Sequence, residues 1–183
     1  MDIRPWRLQA KRVVYQDRWV EVALADVQLP TGRAYTYTTL RRVPGAAVVA
    51  LNGRQEVLVQ REYRYPLDAV VYQLPGGLVD AGESPLETAR RELREETGYE
   101  AEEWELLGTV QDNPGLIDGA TTLFLAQRLR PASTAQLEQA EFVTSEWRPL
   151  SWLRERILAG EIEDRVLLAA FAFLAARGLI PER

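Results

Sequence analysis

Three glutamates, Glu92, Glu95 and Glu96, lie close together in a stretch with the pattern of a helix over residues 84–97. At about 100° per residue, Glu92 and Glu96 fall about 40° apart on the helical wheel, and Glu95 lies about 60° from Glu92 on the other side. Leu86, Ala89 and Leu93 form the adjoining apolar stripe that would seat such a helix on a sheet. Three carboxylates on one anchored face repel one another. A hard divalent cation, Mg²⁺ or Mn²⁺, relieves that repulsion with the oxygen ligands it prefers. The same residues also fit a solvated acidic face, because Arg90, Arg91 and Arg94 are at pairing distance along the helix. From the helix alone both readings stand.

The rest of the composition narrows the chemistry. The chain has 183 residues, no cysteine and no histidine. Disulfides, thiolate nucleophiles, His-based acid–base catalysis and Cys- or His-ligated metals are therefore excluded. Lys11 is the single lysine among 22 basic residues, which leaves carboxylates, arginine, tyrosine or an oxygen-bound metal to do any catalytic work. A net charge of −5 does not favour nucleic acid or an anionic membrane as partner. No apolar run approaches the ~18 residues of a membrane span, and the first six residues lack the apolar core of a signal peptide. The expected address is cytoplasmic.

The elements that must position the glutamates are well punctuated. Ser84 is placed to cap the helix, Pro85 occupies its first position, Glu87 completes a capping box and Gly98 stops it. Upstream, strand signals cover 12–29, 34–40, 46–51, 57–60 and 70–74, with Pro30–Arg33 and Asn52-Gly53 as turns. Downstream, strands are predicted at 104–111 and 120–128, an acidic loop at 131–145, a short strand around Trp147, and helices at 151–159 and 164–177. The last helix is apolar nearly all round, as expected of one packed on a sheet. The class is α/β (α+β): a body over 43–183, preceded by an antiparallel strand arm over 1–42.

The wider spacing is more specific than the helix. Gly77, then Glu83, then Arg91-Glu92-Leu93-Arg94-Glu95-Glu96-Thr97-Gly98-Tyr99 resembles the complete Nudix box. The resemblance implies a Nudix fold, with a mixed sheet sandwiched between helices, over residues 45–177. It also implies that Glu92 and Glu96 are the main metal ligands, with Glu95 assisting and the Gly76 carbonyl completing the site. Glu83 and Arg91 would hold the loop–helix geometry. The cofactor implied is Mg²⁺, with Mn²⁺ as the substitute, and the reaction is hydrolysis of a nucleoside diphosphate linked to another group.

Within that family the chain resembles the ADP-ribose and nucleoside-diphosphate-sugar pyrophosphatases. The features are the N-terminal strands, Arg61-Glu62-Tyr63-Arg64-Tyr65-Pro66, Pro114-Gly115 about sixteen residues after the box, and Glu146-Trp147-Arg148-Pro149-Leu150. The substrate is then a small nucleotide, contacted by Arg64, Arg41, Arg61 and Pro114. Without histidine the expected general base is a carboxylate. The resemblance, in which this branch often supplies a late glutamate from the loop over 131–145, implies Glu141 or secondarily Glu138. Tyr35, Tyr37 and Trp19 are candidates for stacking on a base, against a core or interface role. The aromatic 1–42 arm implies a homodimer. Gln73-Leu74-Pro75-Gly76-Gly77 stands where the family often reads Glu-Leu-Pro-Ala-Gly, and Leu116-Ile117-Asp118-Gly119 lacks the usual Ser/Thr-Glu. These departures keep other substrates open: GDP-mannose, dinucleoside polyphosphate, NADH or NTP. A non-catalytic ADP-ribose sensor is the alternative from another class, although such modules often lose box carboxylates that are all present here.

Overall fold

The computed structural model describes residues 3–132 and 142–180. The chain divides into two compact units, Met1–Pro44 with Gln111–Ala120, and Gly45–Val110 with Thr121–Arg183.

The first unit is an antiparallel meander of β1 (Arg7–Gln16), β2 (Val20–Gln28) and β3 (Ala34–Arg42). The valine-rich run over 12–29 is thus two strands. The reason is Asp17, whose carboxylate accepts the backbone N–H groups of Trp19 at 2.7 Å and Val20 at 2.8 Å and so reverses the chain. Residues 111–120 belong with these strands. Leu40 and Arg41 pair in parallel with Ile117 and Asp118, and Arg42 bridges to Asp112 at 2.9 Å. Trp6, Tyr35 and Tyr37 meet edge to face with ring centroids 5.7–6.0 Å apart.

The second unit carries two sheets and three helices. In the mixed sheet, β4 (Gly45–Ala50) runs parallel to β9 (Ile117–Pro131) over Thr121–Ala126 and antiparallel to β7 (Gly76–Leu78), while β8 (Tyr99–Asn113) pairs with β9. The second sheet has β5 (Glu56–Arg64) between β6 (Ala69–Gln73) and β10 (Val143–Pro149), all antiparallel. The helices are α1 (Pro85–Thr97), α2 (Leu150–Leu158) and α3 (Arg165–Ala176).

β4 explains the layering. Its six residues are all buried, and because successive side chains point to opposite faces it serves two cores. Ala46, Val48 and Ala50 pack with Ala89 and Leu93 of α1. Ala47 and Val49 pack with Leu150 and Leu153 of α2 and Leu167, Ala170 and Leu174 of α3. The mixed sheet therefore lies between helices, as the sequence implied.

Three local expectations need correction. Pro75-Gly76-Gly77 leads into a strand, β7, which the Gly-rich sequence conceals because only pairing with β4 defines it. β8 and β9 each extend several residues beyond the predicted 104–111 and 120–128. The predicted acidic loop over 131–145 overlaps β10, which begins at Val143 through pairing with Glu62.

Candidate active site

The site grows from the junction of β7 and α1. Ser84 Oγ accepts the Glu87 N–H at 3.3 Å while Glu87 accepts the Ser84 N–H at 2.7 Å, so the capping box is formed. That backbone hydrogen bond from Ser84 holds the Glu87 carboxyl below its usual range. Gly98, left-handed at φ 73°, closes the other end by donating to the Arg94 carbonyl. Thirteen residues are thereby fixed in register against β4, and the carboxylate face of α1 is aimed by its apolar face.

Glu92 and Glu96 are buried, at 8% and 7% exposure, whereas Glu95 is half-exposed. The glycines of β7 explain how carboxylates fit there. A Cβ on Gly77 would collide with the Glu92 carboxylate, whose Cδ would lie 2.6 Å away. One on Gly76, whose φ is +156°, would press on the Ala46 carbonyl and lie 2.8 Å from Ala47 Cα. Glu96 Oε2 accepts the Gly76 N–H at 2.9 Å, tying the end of α1 to the strand.

Arg91 organises the remaining charges. Its guanidinium donates to both oxygens of Glu83 at 3.0 and 3.1 Å, to Glu92 at 2.8 Å and to Glu95 at 3.2 Å. Hydrogen bonds from Arg91 and then from the Thr88 hydroxyl (2.7 Å) hold the Glu83 carboxyl below the usual carboxylate range. Bonding to Glu83, reinforced by the charge of Glu92, raises Arg91 above its ordinary value despite partial burial.

Among the described residues, no three acidic groups converge on one point as a ready-made metal cage. The Arg91 guanidinium stands between Glu83, Glu92 and Glu95 and supplies positive charge there. By donor chemistry the residues fit a hard divalent ion: buried carboxylates, backbone carbonyls, and no sulfur or imidazole.

Gly76, Glu83, Arg91, Glu92, Glu95 and Glu96 are thus brought together. Arg61 and Arg64 lie on β5. Arg64 donates to Gln73 Oε1 at 2.6 and 3.0 Å and bridges to Glu62 at 3.1 Å, while Arg61 lies over the Tyr72 ring, 5.7 Å from its centroid. Arg41 and Pro114 belong to the first unit. Arg41 pairs with Glu21 at 3.2 Å and lines a groove of about 300 Å³ with Asp17, Arg18 and Trp19, and none of the α1 carboxylates lines that groove. Arg18 stacks over Trp19 at 4.2 Å, and the Tyr37 hydroxyl donates to the Gly115 carbonyl at 2.5 Å. Glu138 and Glu141 lie outside the described residues.

Sequence reasoning missed a buried polar group beside this face. Gln60 is fully buried and its Nε2 donates to Glu96 Oε2 at 3.2 Å. Gln73, its register partner on β6, donates to Glu62, and both are buried. The available signal was Gln60, Glu62 and Arg64 at alternate positions of β5, directly after the buried run Val57–Val59.

Residues 41–171 match the NUDIX domain family, and residues 6–40 match the nucleoside diphosphate sugar hydrolase N-terminal domain. The chain belongs to the Nudix family and is a Nudix hydrolase, a class that generally uses a divalent metal. It is 35% identical to the CMP-5'-(N-acetyl-N-hydroxy-3-aminopropyl)phosphonate hydrolase of Streptomyces rubellomurinus, over 85% of this chain and 75% of that one. It is 32% identical to the ADP-ribose pyrophosphatase of Mycobacterium tuberculosis, over 79% of this chain and 70% of that one. A crystal structure of an ADP compounds hydrolase superposes with a TM-score of 0.83 at 22% identity, covering 98% of this chain and all of that one, which establishes the shared fold. Among the described residues no helix is long and apolar enough to cross a membrane.

Proposed function

We propose that this chain is a Mg²⁺-dependent pyrophosphohydrolase of ADP-ribose or a related nucleoside diphosphate sugar, releasing NMP and a sugar phosphate. The observation that carries the reading is the buried Glu92–Glu96 face of α1 in a chain whose residues 6–40 match the nucleoside diphosphate sugar hydrolase N-terminal domain. Glu92 and Glu96 would hold the metal, with Glu95 and the Gly76 carbonyl as further donors, and the Glu83–Arg91 pair keeps loop and helix in register. A divalent ion held there would supply positive charge against the diphosphate and would lower the pKa of a water. Arg64 is preorganised by Glu62 and Gln73 to take a phosphate oxygen. Arg61, Arg41 and Pro114 make further substrate contacts. Glu141, or secondarily Glu138, takes the proton of the attacking water. The new bond joins water oxygen to phosphorus, the bridging P–O bond breaks, and the sugar phosphate or nucleotide leaves with the electron pair.

The enzyme acts in the cytoplasm as a homodimer, a reading supported by the exposed aromatics of the first unit, Trp6, Tyr35 and Trp19. Light scattering at micromolar concentration tests it, and a clean monomer mass overturns it.

The deciding experiment incubates the enzyme and Glu96→Gln with Mg²⁺ and a panel of ADP-ribose, GDP-mannose, NADH, diadenosine polyphosphate and dNTPs, with products weighed by mass spectrometry. AMP plus ribose 5-phosphate is expected, with kcat lower by on the order of 10²–10³ in the variant. GMP plus sugar phosphate as dominant products moves the assignment to GDP-sugars. Near-normal turnover in Glu96→Gln overturns the metal assignment.

A further inference from the structure

Seven polar or charged residues are buried in the described chain, and six of them, Gln60, Glu62, Gln73, Thr88, Glu92 and Glu96, belong to the carboxylate face or the sheet beside it. Burying such groups is costly unless each finds a partner. Glu62, Gln73 and Arg64 satisfy one another. Gln60 does so only by half. Its Nε2 reaches Glu96 Oε2, but its Oε1 is buried with no hydrogen-bond partner among the described residues. The opposite amide orientation would set Oε1 against the Glu96 carboxylate, acceptor to acceptor, so the charge of Glu96 fixes which end points where.

Glu96 Oε2 therefore receives two N–H groups, from Gly76 at 2.9 Å and from Gln60 at 3.2 Å, one from each sheet. Two converging donors on one oxygen lock the carboxylate rotamer and direct its charge. That is the role outer-shell partners play for metal-ligating side chains. The orphaned Oε1, on the same carbon as that nitrogen, is a buried acceptor beside Glu96.

We propose that Gln60 is a positioning residue of the metal face: its amide N–H fixes Glu96, and its buried amide oxygen accepts a hydrogen bond from water on the divalent ion that Glu96 holds. The proposal rests on the Nudix hydrolase reading above. A purely structural Gln60 would contribute to folding and leave metal affinity unchanged.

The test titrates the full-length wild type, Gln60→Leu and Gln60→Met with Mn²⁺ by electron paramagnetic resonance, and records the metal-free melting temperature of each. Both variants keep the side-chain bulk and remove donor and acceptor together. Mn²⁺ binding weaker by about 10- to 100-fold, with metal-free melting close to wild type, is expected. Unchanged Mn²⁺ affinity in either folded variant overturns the proposal, and so does failure of both to fold, which assigns Gln60 to the core. The wild type keeps the two levels apart: Mn²⁺ binding and hydrolysis there, with unaltered variants, removes only the Gln60 role. A wild type that binds no Mn²⁺ removes the metal reading and this inference with it.

Discussion

Strands β1 and β4 are both continuous and paired, β1 with register shifts at Leu8/Ala10 and Val13/Tyr15, yet all ten residues of β1 are exposed and all six of β4 are buried. β4 lies between two helical layers and owes its stability to side chains on both faces. β1 is held to its unit by its ladder with β2, and the buried apolar residues of that unit are Ala23 and Ala25 of β2. Strand propensity alone does not distinguish the two cases. What differs is what each strand packs against. The buried carboxylates Glu92 and Glu96 sit on the unit with the two-sided core. In the first unit β1 leaves its side chains exposed.

The sharpest way to break this contrast is a cavity in the second unit. Leu125→Ala on β9, in the core shared with Val49 and Leu174, should cost about 2–5 kcal/mol of unfolding free energy, measured by urea denaturation. A loss below about 1 kcal/mol would mean that this core is looser than its burial indicates. Next, Ser84→Ala removes the N-cap of α1 and should cost about 1 kcal/mol. Because the cap also sets the register of Glu92 and Glu96, Mn²⁺ affinity should fall with it. Unchanged affinity would show that packing of Ala89 and Leu93 alone aims the face.

Acid tests the same junction. The Glu83 carboxyl is depressed in the folded state, mainly by its hydrogen bonds with Arg91. Its contribution is therefore complete above the unfolded value of about 4.3 and is lost as pH falls through the lower folded one. Glu83→Gln should flatten the acid limb of the stability curve below about pH 4.3, as followed by urea midpoints between pH 3 and 7. An unaltered limb would remove Glu83 as an acid-sensitive anchor. The smallest effect is expected on β1. Leu8→Ala should change the stability of the isolated chain by no more than about 0.5 kcal/mol. The proposed homodimer sharpens this: the same substitution should weaken association in sedimentation, and equal effects on both would erase the contrast between the units.

Much of the site was legible before any coordinates, for local reasons. The capping box, Gly98 and the apolar stripe of Leu86, Ala89 and Leu93 are short-range signals, and they delimit α1 to within a residue. The turn at Asn52-Gly53 was legible too, and Asn52 Oδ1 accepts the Arg54 and Glu56 N–H groups. The strands it joins, however, enter different sheets and meet only at a Leu51–Val57 bridge, so it closes no regular hairpin. β7 was not legible, because three residues of a Gly-rich segment become a strand only when β4 lies alongside. Gln60 was not legible either: a glutamine after a valine-rich run reads as the end of a strand, and nothing local says that Glu96, thirty-six residues on, will face it.

The sequence by itself determined the helix that carries the glutamates, the spacing of the Nudix box, the exclusion of thiol and imidazole chemistry, and the family. Each of these depends on residue type or on a separation of a few residues, over which backbone geometry is nearly fixed. Only the tertiary structure decided that Glu92 and Glu96 are buried while Glu95 is half-exposed, that Arg91 gathers Glu83, Glu92 and Glu95, and that Gln60 reaches Glu96. Those outcomes depend on which distant strands come to lie side by side. That is set by the summed burial of both faces of β4, which no local pattern encodes.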